Sequence, residues 1–304
     1  MTVRRPILVG NPHAGSNARR RGFSNLKEAF LRCFPEGSVI SDLLDPRDPA
    51  LPERLGRADL LVLYGGDGTV VRLLSLPLPL LPPLLVLPGG TGNVLSRFLG
   101  VPYDPARPGE IFSLLGRGHS VKFFPGIAGE TLFCLMAGVG WDGVAARRVR
   151  RKRELGALSY YLAGLSATFS PAASRFCVQL LTEEGEEVVR EDVVWALVSR
   201  IPPYFGPFRV RGAGPEDSPF LTATIVRGTT LRVPGAFFEM LPWMPGGLFS
   251  ERFRIRELSL LPGRTPLGED GEGTPPCQAD GEAIPPFSRV GVGKEPVTFL
   301  GFSK

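Results

Sequence analysis

The segment Tyr64-Gly65-Gly66-Asp67-Gly68-Thr69-Val70 constrains this chain more than any other stretch. An apolar run, Leu60-Leu61-Val62-Leu63, precedes it and reads as a buried strand, and Val71-Arg72-Leu73-Leu74 follows it as the first turns of a helix. Glycines let the backbone turn sharply and approach a ligand closely. A helix that starts here points free N–H groups at an anion. Asp67 is the odd member, because a carboxylate repels phosphate unless a cation lies between them. A nucleotide carrying Mg²⁺ removes that conflict. Taken alone, the segment leaves a plain strand-to-helix turn with a capping Asp as the lesser alternative.

Two other segments repeat the pattern. Ile7-Leu8-Val9 runs into Gly10-Asn11-Pro12-His13-Ala14-Gly15-Ser16. Leu84-Leu85-Val86-Leu87 runs into Pro88-Gly89-Gly90-Thr91-Gly92-Asn93, with Val94 to Leu99 as the helix that follows. Three strand–loop–helix units predict an open parallel sheet whose loops gather at the carboxyl ends of the strands, where such sheets bind ligands. The joint expectation is one phosphate-binding crevice.

In this order the three loops resemble the motifs of the diacylglycerol kinase catalytic domain family, nearest to the bacterial lipid kinases related to sphingosine and ceramide kinases. Ala137-Gly138-Val139-Gly140-Trp141-Asp142 resembles the glycine-rich strand that opens that family's second domain, and Asp280-Gly281-Glu282 its late acidic motif. The resemblance covers nearly the whole chain. It implies an α/β protein: an N-terminal three-layer nucleotide-binding domain over 1–123, rejoined by 290–304, and a C-terminal antiparallel β-sandwich domain over 124–289 for the lipid substrate. The implied active site lies in the cleft between them. The implied reaction moves the γ-phosphoryl group of ATP, with Mg²⁺, to the hydroxyl of diacylglycerol or a related lipid alcohol.

Phosphoryl transfer needs an anchored triphosphate, neutralised charge and a nucleophile held in line. By the resemblance, Asn11, Gly65, Gly66, Asp67, Gly68, Thr69, Gly90, Thr91, Gly92, Asn93 and Arg97 hold the nucleotide. Backbone amides of 66–69 and 90–93 anchor phosphates, the Thr69 and Thr91 hydroxyls donate to them, and Arg97 pairs with one. Asp67 holds the metal, directly or through water. Asp280 is the expected base that takes the proton of the lipid hydroxyl, and Glu282 supports it or the metal. An acidic hairpin turn is the plainer reading of Asp280-Gly281.

Four positions depart from the family pattern. Ser16 stands where a lysine is usual, Val94 where an Asp follows the third-loop Asn, and Lys122 where an Asp lies near the domain boundary. The stretch 215–222 keeps at most one of two acids that hold a structural Mg²⁺ in the family. A nucleotide-binding protein of this fold without kinase activity therefore stays open. So does a kinase of a soluble substrate, NAD kinase-like, which explains the second loop but neither the third nor Asp280.

Composition narrows the chemistry. The chain has 304 residues and is 43% hydrophobic, enough for two cores. Cys33, Cys134, Cys177 and Cys277 are scattered without a close pair, which argues against zinc and disulfides and suits a reducing cytosol. With only His13 and His119, histidine-based acid–base catalysis is not expected. The apolar stretch from Leu73 to Leu87 is too short to span a bilayer and is broken by Pro77, Pro79, Pro82 and Pro83, so a cytoplasmic protein, peripheral at the inner membrane face, is expected. The excess of 35 basic over 30 acidic residues concentrates in Arg147 to Arg153. That run suits anionic headgroups or, equally, a solvated helix end. No nucleic-acid motif accompanies it, and a homodimer is possible.

Coarse periodicity predicts helices over 23–33, 111–115 and 155–170, and strands over 131–136, 175–181, 193–198, 221–226 and 252–261, with a Gly- and Pro-rich loop over 262–276. Ala236 to Met244 is greasy and aromatic. A helix packed on the sandwich is the favoured reading, a lip for acyl chains the sharper one.

Overall fold

Unbroken runs of Leu, Val and Ile make the centre of the first unit. Parallel strands covered on both faces require such runs, and Leu60, Leu61, Val62, Leu63, Leu84, Leu85 and Leu87 are all fully buried. The structure is a computed structural model that describes residues 3–10, 17–40, 51–76, 81–150, 157–170, 175–204, 206–213, 217–261 and 275–303. The chain divides into two units, Met1–Phe123 with Pro296–Lys304, and Phe124–Glu295.

In the first unit the strands lie in the order Ser38–Ile40, Pro6–Gly10, Leu60–Gly65, Leu84–Pro88, Val297–Gly301, His119–Phe123. Neighbours are parallel except the last pair, which is antiparallel. The helix Asn17–Cys33 lays Phe23, Leu26 and Phe30 on this sheet. Truncating a buried Leu26 or Phe30 to Ala removes about 2–5 kcal/mol of packing. The helix Leu51–Gly56 was not anticipated; its Pro52 falls in the first turn, where proline is tolerated. The returning segment is shorter than 290–304. Arg289–Val292 pairs with strands of the second unit, and only Val297–Gly301 joins the first sheet.

The register sets the loops. Gly10 lies opposite Tyr64, and Gly65 opposite Pro88, so all three strands end at one level of one edge.

The second unit is antiparallel. Among the described residues its ten strands form one hydrogen-bonded network. Phe176–Thr182 pairs with both Glu187–Ser199 and Glu251–Leu260, while Leu221–Arg227 also bridges those two, so the sheet closes on itself. Phe133, Phe176, Leu258 and their neighbours fill the interior, while Trp195 packs on the other face against Trp141 and Phe237. The expected strand over 131–136 is split into Thr131–Phe133 and Met136–Gly140, because Cys134 and Leu135 leave the ladder. Helices Trp141–Arg150 and Ala157–Thr168 follow. The basic run therefore begins as a helix end, and 151–153 lie outside the described residues. Among the described residues no helix is long and apolar enough to cross a membrane.

Candidate functional site

In the first unit the second and third loops touch backbone to backbone. Gly89 N–H donates to Gly65 O at 2.8 Å. A Cβ on Gly66 would lie 3.0 Å from Gly90 Cα, and one on Gly90 would collide with Gly66 Cα. Two loops approach this closely only if both are glycine at the crossing.

Asp67 binds the two loops together. Its Oδ2 accepts the Val94 N–H at 3.1 Å and its Oδ1 the Leu95 N–H at 2.9 Å. These are amides at the start of the helix Val94–Phe98, which has no cap from its own loop. Asp67 therefore supplies that cap from 27 residues away. Its own helix, Asp67–Leu74, starts at Gly66, which has no side chain to cap it. The Thr69 and Val70 amides donate to Gly66 O, so the amides of Asp67 and Gly68 are the ones that face an outside acceptor. Around the Cβ position of Gly68 there is open space, with no atom within 4 Å.

Asn93 closes the third loop on itself. It adopts a left-handed backbone, φ 49°. Its Oδ1 accepts the Gly90 N–H at 2.7 Å and its Nδ2 donates to Gly90 O at 2.8 Å. Arg97 folds back as well, donating from Nε to Asn93 O at 3.2 Å and from its terminal nitrogen to Gly92 O. Of the expected phosphate donors, the Gly90 amide is thus spent within the loop, and Arg97 braces the loop. Thr69 and Thr91 stand on the two loops, the first half-buried and the second exposed. Asn11 and the rest of 11–16 lie outside the described residues.

A metal fits here in one manner. Among the described residues no three His, Cys, Asp or Glu side chains gather as a ligand set. Asp67 has two of its roughly four lone-pair sites left after its two amides. One carboxylate with phosphate and water is the usual way Mg²⁺ is held.

The acidic motif lies in the second unit. Cys277–Ala279 and Glu282–Ile284 form a hairpin whose two turn residues, Asp280 (φ 47°) and Gly281 (φ 82°), are both left-handed. That is the hairpin favoured by Asp-Gly. The Asp280 carboxylate points back into its own unit. Its Oδ2 accepts Cys134 N–H at 2.7 Å, and its Oδ1 accepts Leu135 N–H at 2.8 Å and Met136 N–H at 2.9 Å. The bend at 134–135 that splits the strand exists to present these amides. Glu282, two residues on, is exposed.

Behind this turn lies a polar group that the sequence did not suggest. Asp142 is 5% exposed. Tyr204 Oη donates to its Oδ1 at 2.7 Å and Gln278 Nε2 to its Oδ2 at 2.8 Å. Gln278 Oε1 in turn accepts the Gly281 N–H at 2.8 Å. A Cβ on Gly138 would collide with the Asp142 carboxylate, and one on Gly143 with the Pro276 backbone. The first collision explains Gly138 of the motif 137–142, and its Gly140 has a left-handed backbone, φ 80°, where a Cβ would also collide with Val194 O. Burial pushes the Asp142 carboxyl above its ordinary range, against the hydrogen bonds from Tyr204 and Gln278. Burial and the adjacent carboxylate also push the Tyr204 phenol upward, which keeps it a donor. Tyr204 and Gln278 are 62 and 136 residues from Asp142, so no local spacing signals the group.

Comparison with known proteins bears on the first unit and on the fold. Residues 5–124 match the diacylglycerol kinase catalytic domain. A diacylglycerol kinase of Bacillus subtilis is 27% identical over 54% of this chain and 55% of its own length. An uncharacterized protein of Synechocystis sp. is 30% identical over 52% of this chain and 39% of its own. The alignments thus span about half or less of these relatives. The fold extends further. The crystal structure of a diacylglycerol kinase from Bacillus anthracis superposes with a TM-score of 0.67 at 19% identity, covering 99% of this chain and 98% of that one. A further Bacillus anthracis structure gives 0.73 at 20% identity, over 100% and 98%. Kinases of this family use ATP.

Proposed function

We propose that this chain is an ATP-dependent lipid kinase that phosphorylates the hydroxyl of diacylglycerol or a related lipid alcohol. The observation that carries this reading is the crossing of Gly66 and Gly90, locked by Asp67 on the Val94 and Leu95 amides. It leaves the amides of Asp67 and Gly68 and the space beside Gly68 for phosphate oxygens. Mg²⁺, when bound beside Asp67 and the phosphates, neutralises their charge.

We infer a different division of labour in the acidic motif from the one the resemblance implies. Asp280 spends three of about four lone-pair sites on the amides of 134–136, so its work is to fix the turn. Glu282 is the exposed carboxylate of the motif, and we assign it the base that takes the proton of the lipid hydroxyl. Asp142, through Gln278 and Gly281, positions that turn from behind.

The test is transfer of label from ATP with Mg²⁺ to a panel of lipid alcohols in mixed micelles. Labelled lipid is the expected result. Label in NAD and in no lipid would make the chain a soluble-substrate kinase. Bound nucleotide with no transfer to any acceptor would leave a binding protein of this fold.

A further inference from the structure

Eight large apolar side chains stand exposed among the described residues, and six of them belong to one region of the second unit. Leu165, Phe169, Leu231, Phe238, Trp243 and Leu248 are each between 59% and 73% exposed. Scattered exposed apolar residues are ordinary, but a contiguous set marks an interaction surface. Hydrogen bonds tie together the segments that carry them. Leu165 lies in the last turn of the helix Ala157–Thr168, and Phe169 directly follows that helix. Thr230 Oγ1 donates to Thr168 O at 2.6 Å, which brings Leu231 beside Phe169. Arg232 donates to Leu248 O at 2.9 Å, and Glu239 Oε1 accepts the Leu248 N–H at 2.6 Å, which brings Leu248 to the helix Val233–Phe238.

This face is held in place rather than frayed. Phe237 stacks on Trp195 at 5.0 Å and packs against Trp141, Tyr204 and Phe208, so the next residue, Phe238, points outward from an anchored helix. Glu239 is 2% exposed and also accepts the Phe249 N–H at 2.6 Å and the Ser250 hydroxyl at 2.5 Å. Arg211 donates to the carbonyls of Leu241, Pro242 and Met244, which clamps the loop that carries Trp243. Ordering a loop to display Trp243 and Leu248 to water has no benefit for the fold.

The charges around the face are chiefly basic, and the exposed acid beside it, Asp192, is ion-paired with Arg175 at 3.6 Å. From Arg227 to Phe249 the only acid is Glu239, which is buried. Arg209, Arg211 and Arg232 are exposed beside it. The neighbouring Glu251 is paired with Arg190 at 2.7 Å and Arg227 at 3.7 Å. A face of Trp, Phe and Leu rimmed by arginine matches the headgroup layer of an anionic bilayer. A two-fold contact with a second copy would set these arginines against their own images.

We infer that this face docks the protein on an anionic lipid surface, with Trp243, Leu248 and Phe238 entering the interfacial layer and the arginines meeting headgroups. The inference rests on the lipid-kinase reading for its purpose, but its test does not. The full chain and a Trp243→Ser/Leu248→Ser variant are mixed with phosphatidylcholine vesicles, with and without phosphatidylglycerol and brominated acyl chains. Trp141 and Trp195 are 5% and 0% exposed, so quenching by bromine reports Trp243. The wild type is expected to bind the anionic vesicles, to be quenched, and to release at high salt. The variant is expected to bind about tenfold or more weakly, since a fully buried large apolar side chain contributes at least about that factor. Both proteins are compared by circular dichroism and by transfer to a short-chain diacylglycerol dissolved in water, which docking does not affect. Equal vesicle binding by the two proteins overturns the inference. So does self-association that the variant abolishes, with no vesicle binding by either. Vesicle binding without phosphorylation of any lipid sustains the docking face and removes the kinase reading instead.

Discussion

The Asp67 carboxylate caps the helix that begins at Val94, accepting the Val94 N–H at 3.1 Å. The residue expected to serve a metal thus also holds two loops in register. An Asn at position 67 offers one acceptor oxygen where the carboxylate offers two. Asp67→Asn therefore strands one of the Val94 and Leu95 amides, a loss of about 1–3 kcal/mol. Thermal unfolding is expected to show that loss. Titration of nucleotide with and without Mg²⁺ separates the second role. Wild type is expected to bind more tightly with Mg²⁺ and the Asn variant equally with and without it. An Mg²⁺ effect of wild-type size in the variant would confine Asp67 to capping.

Gly68 separates function from stability. It lies within the helix Asp67–Leu74, and a Cβ there meets nothing within 4 Å. Gly68→Ala is expected to raise stability by up to about 1 kcal/mol through helix propensity. If phosphate oxygens come close to this backbone, the same methyl group weakens ATP binding, by about tenfold for each 1.4 kcal/mol of lost contact. Gly90→Ala is the contrasting change, because its methyl group collides with the Gly66 backbone. It is expected to lower the melting temperature and ATP binding together. Normal ATP affinity in Gly68→Ala would move the phosphates elsewhere.

The acidic turn makes a paired prediction. Asp280→Asn keeps a residue that tolerates the left-handed turn, but its single oxygen cannot satisfy Cys134, Leu135 and Met136. A stability loss of about 1–3 kcal/mol is expected. Glu282→Gln changes an exposed side chain, so stability is expected to stay within about 0.5 kcal/mol. Its kcat is expected to fall by about 10²–10⁴ through loss of the base. Unfolding curves beside initial rates distinguish the two. Full turnover in Glu282→Gln together with abolished turnover in a folded Asp280→Asn would return the base to Asp280.

Much of the first unit was legible because its strands are unbroken apolar runs ending in glycine. Leu60–Leu63 and Leu84–Leu87 are both buried strands, and the loops after them meet. The Asp280-Gly281 dipeptide likewise announced its hairpin. What stayed hidden depends on partners far along the chain. Asp280 finds its amides 144 to 146 residues away, and those amides break the strand that periodicity joined over 131–136. The strand Glu187–Ser199 begins six residues before the apolar run over 193–198, because Val188 and Val189, flanked by charged residues on both sides, pair with Phe176–Thr182. Ala236 to Met244 resisted a single reading because Phe237 and Phe238, adjacent in sequence, go to opposite environments.

Asp142 gives a prediction whose sign follows from burial. Its carboxyl is raised above the ordinary 3.8, chiefly by desolvation, so the folded protein holds a proton there that the unfolded chain has released. Stability from this group is complete below that ordinary value and declines as pH rises toward the raised one, then levels off. Asp142→Asn has no such titration. Its oxygen still accepts from Tyr204, but its NH₂ group faces that of Gln278, so the variant loses a bond and, through Gln278, loosens the Gly281 turn. At low pH wild type is expected to be the more stable by about 1–3 kcal/mol. That gap is expected to narrow as pH rises above 3.8. Urea unfolding of both proteins across the acid-to-neutral range measures it. A gap that widens with pH would mean the carboxyl is held ionised, and that a cation stands near it.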